Sequence, residues 1–142
     1  MSNVLRISNA ASLALHAMGL LATNPERPLA TSEAAVTLSV SENHLQKVMQ
    51  RLHHAGLVRS IRGPHGGFEL ALPPDRITLM QVYEAIEGPL TLTQCLLGRP
   101  RCQGNCCILG HLVESTNREF SQYMSTRTVA QLAEVYQHGD VA

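Results

Sequence analysis

The chain has no tryptophan, two phenylalanines and three tyrosines among its 142 residues. A core so poor in aromatics must be built from Leu, Val, Ile, Met and Ala, which suits helices. Charge is also scarce: charged residues make up 15% of the chain, and eleven Lys/Arg cancel eleven Asp/Glu. That scarcity does not describe a disordered tail, because 44% of the residues are hydrophobic and the length suffices for one domain with a proper core. There is no run of about 18 apolar residues, so no membrane-spanning helix is expected. The N-terminus lacks the basic region, continuous apolar stretch and cleavage site of a signal peptide, and the expected location is cytoplasmic.

What the chain does have is concentrated. All four cysteines, Cys95, Cys102, Cys106 and Cys107, fall in one thirteen-residue window that also holds Gly98, Pro100 and Gly104. A secreted disulfide framework spreads its cysteines to staple distant segments. Four thiols crowded into one loop point instead to metal ligands or a redox site.

The pattern along the chain predicts a mainly α-helical protein with one small β-hairpin. From Ile7 to Ala22 the sequence is almost wholly apolar, broken by Asn9, Ser12, His16 and Gly19, as expected of a helix buried on most sides. Asn24-Pro25 ends it. A short helix is predicted from Ala30 or Thr31 to Leu38, then a turn at Ser39-Val40, with Ser41 as N-cap of a second helix. On that helix Leu45, Val48, Met49 and Leu52 share one face, leaving Asn43, Lys47, Gln50 and His54 on the other. Gly56 suits the left-handed position after its end. Residues 57–61 and 68–72 alternate as strands do, so a hairpin with a six-residue loop is expected, closed by Pro73-Pro74. A third helix is predicted from Thr78 to Glu87. After the cysteine loop a long helix is predicted from Ile108 to Met124, with Leu109, Leu112, Val113, Thr116, Phe120, Tyr123 and Met124 in a stripe about 120° wide. Ser125-Thr126 is expected to break it before a last short helix over Val129–Tyr136.

Short helix, turn, capped amphipathic helix and hairpin is the order of a winged helix-turn-helix. Local charge agrees with that order. Residues 41–65 hold Lys47, Arg51, Arg59 and Arg62 against the single acid Glu42, together with four of the seven histidines. Asn43, Gln46 and Gln50 can read adenine edges bidentately, with His44 beside them. Lys47, Arg51, Arg59 and Arg62 are candidates for phosphate contacts, and the Gly-rich tip around His65 lets backbone approach a groove wall. No Ser/His/Asp arrangement, paired carboxylates or phosphate-binding Gly-rich loop is present. Arg62-Gly-Pro-His-Gly-Gly joins two strands instead of opening a helix, so an enzyme is not expected.

The stretch from Ser41 to Leu72, with Leu45-x6-Leu52, Ala-Gly-Leu-Val58 and Arg62-Gly-Pro-His-Gly-Gly-Phe68, resembles the Rrf-two family of bacterial winged-helix regulators (IscR/NsrR-like). Arg6-Ile7-Ser8 and the Ala-rich first helix look like the family's opening. The cysteine loop and long helix look like its sensor and dimerisation region. The resemblance implies a cytoplasmic homodimer that binds double-stranded DNA, regulates transcription as a repressor, and senses redox, nitric oxide or iron–sulfur status. It divides the chain into a winged helix-turn-helix domain at 1–90, a sensor loop at 91–107, and a dimerisation helix with C-terminal tail at 108–142.

The resemblance also implies an iron–sulfur cluster, 2Fe–2S or 4Fe–4S, on three loop cysteines. The spacing is Cys95-x6-Cys102-x3-Cys106-Cys107 against a family pattern near Cys-x5-Cys-x5-Cys. Cys95, Cys102 and Cys107 are the favoured ligands, because Ile108-Leu109 follows Cys107 as the helix follows the family's third cysteine. Cys106 is spare or an alternative ligand. For the fourth position, Ser12 stands where some relatives place an acid, Gly110 stands where others place a histidine, and His16 coincides with a ligand of some. His16 ranks above His111 but is equally readable as a satisfied core histidine. The competing readings are a zinc site, which the missing Cys-x2-Cys knuckles fit poorly, and a thiol-redox switch without iron.

Overall fold

Ser8 opens the first helix of the computed structural model, which describes residues 7–97, 99, 101, 102 and 107–137. Its hydroxyl accepts the Ala11 amide at 3.1 Å and donates to Glu87, so helix α1 runs from Asn9 to Ala22 rather than from Ile7. Ala11, Leu13, Ala14, Ala17, Met18, Gly19, Leu21 and Ala22 are all buried, and α2, α3, β2, α4 and α6 pack against α1.

Helices α2 (Thr31–Leu38) and α3 (Glu42–His54) are joined by a tight turn. Ser39 takes a left-handed conformation, φ 55°, and the Val40 amide reaches the Ala35 carbonyl at 3.0 Å. Ser41 then caps α3 through the His44 amide. Leu45, Val48, Met49 and Leu52 of α3 are buried against α1, each aliphatic side chain contributing about 1.5–3 kcal/mol. Gly56, φ 78°, ends the helix, with the Leu57 amide bonded to the Leu52 carbonyl.

Strands β1 (Val58–Ile61) and β2 (Gly67–Leu70) form an antiparallel hairpin in which Val58 faces Leu70 and Ile61 faces Gly67. Gly67 is therefore a strand residue, and the connecting loop is residues 62–66, one shorter than expected. A further contact anchors the hairpin to the segment before α2: the Leu29 amide donates to Phe68 at 2.9 Å and the Phe68 amide to Leu29 at 3.0 Å. Gly67, at φ 153°, makes that approach possible, since a Cβ there would lie 2.2 Å from the Leu29 carbonyl oxygen.

A single 3-10 turn at Pro74–Arg76 leads to α4 (Leu79–Glu87), opened by a capping box between Thr78 and Gln81. The long helix α5 covers Gly110–Thr126. It starts two residues later than predicted, with no side-chain cap at Leu109. It also continues through Ser125-Thr126, where the Thr126 hydroxyl donates back to the Gln122 carbonyl at 2.8 Å. Extended Arg127 ends it. Of α5 only Met124 is buried; Phe120 packs edge-on against Tyr83 of α4, ring centroids 5.2 Å apart. Burial and, to a lesser extent, the Glu87 carboxylate raise the Tyr83 phenol above its ordinary pKa.

Helix α6 (Val129–Gln137) turns back onto α1. Gly19 admits it: a Cβ there would sit 3.1 Å from Leu132 Cβ and from the Tyr136 ring. Val129 and Ala133 join the main core, and the Val129 amide bonds to the Ile77 carbonyl at 2.9 Å. Residues 128–137, grouped with the dimerisation helix on sequence grounds, thus pack into the winged-helix body. Among the described residues no helix is long and apolar enough to cross a membrane.

Candidate nucleic-acid interface and cysteine loop

The buried stripe of α3 fixes what its opposite face presents. Asn43, His44, Lys47 and Gln50 are exposed there, whereas Gln46 sits at the edge, half-buried. Arg51 is differently placed. Its guanidinium donates to the Ile86 carbonyl in the last turn of α4, where a helix leaves carbonyls without internal partners. It therefore ties α3 to α4. His53 Nδ1 lies 3.2 Å from the Val58 carbonyl oxygen, at the start of the hairpin.

On the wing, Arg59 reaches across the ladder to Glu69 at 3.0 Å. Arg62 and His65 stand exposed in the loop, and Arg62 forms no ion pair among the described residues. The structure thus brings Asn43, Lys47 and Gln50 onto one face and the Arg62 and His65 side chains onto the hairpin tip, while Arg51 and Arg59 already hold intramolecular partners. Periodicity could not reveal either partnership, because Ile86 acts through its backbone and Glu69 depends on hairpin register.

The cysteine loop lies beside the start of α5. Cys95, half-buried, and Cys102 and Cys107, both exposed, line one cavity of about 520 Å³ with Gln94, Leu96, Leu97, Arg101 and Leu109. Three candidate thiols therefore share one cavity. Cys106 lies outside the described residues. No group of three His, Cys, Asp or Glu among the described residues is drawn together tightly enough to hold a metal ion. His16 does not share the thiols' cavity. It is exposed on α1, its Nδ1 2.6 Å from the Ser12 carbonyl oxygen, and lines a separate groove with Asn9, Leu38, Val40 and His44. His111 is exposed on the first turn of α5.

Residues 7–135 match the Rrf2 family, described as an iron-dependent transcriptional regulator. The chain belongs to the Rrf2 family. This Rrf2 chain is 34% identical to the HTH-type transcriptional regulator IscR of Aliivibrio salmonicida over 70% of its own length and 54% of that protein. It is 38% identical to the HTH-type transcriptional regulator CymR of Bacillus subtilis over 50% of its length and 51% of that protein. Among solved structures it is similar to B. subtilis CymR, described as the global cysteine regulator, with TM-score 0.79, 28% identity, and 93% and 98% of the two chains covered. These Rrf2 relatives make the architecture that of a winged-helix transcriptional regulator, as the order of helices and hairpin had implied.

Proposed function

We propose that this transcriptional regulator reads double-stranded DNA with α3 and the wing, and reports the state of an iron–sulfur cluster held by Cys95, Cys102 and Cys107. The observation that carries this reading is the shared cavity: three thiols separated in sequence by up to eleven intervening residues line one space, walled by Leu96, Leu97 and Leu109. Thiolates are the usual ligands of such clusters. By donor type three thiolates suit the group, while the described residues do not draw them into a closed ligand set. A bound cluster would supply electron transfer or reactivity toward small oxidants, while the chain's own part is to hold the thiols together beside α5.

On the DNA side, Asn43, His44 and Gln50, with Gln46 at the margin, take the base edges. Lys47, Arg62 and His65 take the backbone, joined by Arg59 and Arg51 insofar as DNA draws them from Glu69 and Ile86. The two-fold arrangement that operators of helix-turn-helix proteins require comes from a homodimer through α5. Leu112 is 60% exposed and Tyr123 55% exposed, and Phe120 and Met124 line an apolar groove with Ile7 on the same helix flank. Such a face is more apolar than water tolerates well on a free surface.

A second reading, a thiol switch without iron, draws on two observations: the likeness to CymR over nearly the whole chain, and a thiol cavity without His, Asp or Glu among its described lining residues. In the cluster reading the fourth ligand comes from outside that described lining, with His16 the candidate although it lies apart on α1. An anaerobic absorption spectrum with metal analysis of freshly purified protein separates the two. Visible bands with iron and sulfide support the cluster. A colourless, iron-free protein that exchanges its thiols with a glutathione buffer overturns it in favour of the switch.

A further inference from the structure

Resting on the sensing reading above, we propose that Gln94, Glu114 and Asn117 are positioning residues that clamp the first cysteine of the loop to α5. Asn117 Nδ2 donates to the Thr93 carbonyl at 3.0 Å, and Gln94 Nε2 donates to Glu114 Oε2 at 3.2 Å. Glu114 is held at its other oxygen by Arg118, one turn on. The Thr93 hydroxyl completes the stem by donating to the Cys95 carbonyl at 3.3 Å. The two residues before Cys95 are thus fixed to positions 114 and 117 of α5, which lie three apart and share a helix face.

The other end of the loop meets the same helix by chain continuity. The Cys107 carbonyl accepts the Gly110 amide at 3.1 Å in the turn that starts α5. Both ends of the thiol-bearing segment are therefore attached to the first two turns of α5. Cys95 is half-buried, whereas Cys102 and Cys107 are exposed. Any change that draws the thiols together or lets them part pulls on α5 at two points. Without the side-chain clamp only the Cys107 end would pull, and the Cys95 end would give way.

The test uses two single variants of the full chain. Gln94→Glu faces a carboxylate with a carboxylate, and Asn117→Asp turns the donor facing Thr93 into an acceptor. In reduced, metal-free protein, iodoacetamide labelling of Cys95, followed by peptide mass spectrometry at a pH high enough to ionise the thiol fully in every variant, should rise about fivefold in each variant, the factor corresponding to about one neutral hydrogen bond. Cys102 should label at the unmodified rate. In DNA titrations, the ratio of affinities between cluster-loaded (or oxidised) and reduced metal-free protein should fall at least threefold in each variant. Gln94→Glu combined with Glu114→Gln reverses donor and acceptor and should restore both readouts. Unchanged Cys95 labelling in both single variants overturns the clamp, as does an undiminished affinity ratio. If the unmodified protein shows no such ratio, the sensing reading falls, and the labelling experiment still decides the clamp.

Discussion

The two wing arginines stand in different electrostatic situations, and salt titration distinguishes them. Arg62 is exposed and forms no ion pair among the described residues, whereas Arg59 is held 3.0 Å from Glu69. If Arg62 meets a phosphate, Arg62→Ala should flatten the dependence of log K on log salt by about 0.9 per subunit, or about 1.8 per dimer. Between about 50 and 200 mM salt, a fourfold change, that slope amounts to about a twelvefold difference in how much affinity is lost. Glu69→Gln should act in the opposite direction. Arg59 is mostly exposed, so its pair with Glu69 is worth no more than about 0.2–1 kcal/mol, and releasing it offers one more cation to the backbone. The slope should steepen by up to the same amount. The assay is fluorescence anisotropy on an operator selected from a random pool, repeated across the salt range, with a scrambled duplex as control. Because phosphate contacts carry no sequence information, specific and nonspecific affinities should move together. An Arg62→Ala slope indistinguishable from that of the unmodified protein would refute the placement of the wing on DNA.

Gly67→Ala should cost about 2–4 kcal/mol in urea unfolding, since it displaces the two Leu29–Phe68 hydrogen bonds and forces an alanine to φ 153°; an unaltered midpoint would show that the anchor between wing and α2 contributes little. Gln50→Ala should relax base preference at one position per half-site at a cost of about 1–3 kcal/mol there, whereas uniform weakening across all duplexes would move Gln50 to the backbone. Cys95→Ala, Cys102→Ala and Cys107→Ala should each abolish visible absorption, with Cys106→Ala mild; colour retained in Cys107→Ala and lost in Cys106→Ala would shift the ligand register by one residue. Leu112→Asp with Tyr123→Asp should give monomers in light scattering, and a soluble micromolar monomer of the unmodified chain would refute α5 as the dimer face. Phe120 is left out of that pair because it packs on Tyr83 within its own subunit.

Much of the reader was legible in the sequence because its signals are local. Ser41, the Leu45-to-Leu52 stripe and Gly56 each act within a few residues, and all three stand where capping and periodicity place them. The hairpin was legible for the same reason, although its strands run 58–61 and 67–70 instead of 57–61 and 68–72. Gly67 joined the strand by pairing with Ile61, next to Phe68, whose bridge to Leu29 comes from some forty residues upstream. Apart from the ends of α5, the features that escaped notice depend on the fold: Arg51 on the Ile86 carbonyl, Arg59 on Glu69, and α6 on Gly19. A guanidinium that satisfies a helix-end carbonyl has the same one-dimensional signature as one that waits for phosphate. The cysteine cavity was half legible. Crowded thiols drew attention to the loop, but neither the Asn117–Thr93 hydrogen bond nor the separation of His16 from that cavity can be read without the fold.

The return of α6 to α1 makes the cysteine loop and α5 an insertion within the winged-helix body instead of an appendage to it. The chain leaves the winged-helix body after Glu87, runs out through the cysteines and α5, and comes back at Thr128, where the Thr78–Thr128 bridge closes the excursion. A fragment cut at residue 90 would therefore lack Val129 and Ala133 from its core and leave the groove at Gly19 open. The cysteine loop and α5 are separable from that body only as a cassette with two junctions, near 88 and 128. A regulator with a new trigger is accordingly better built by exchanging that whole excursion than by fusing a foreign domain behind the wing.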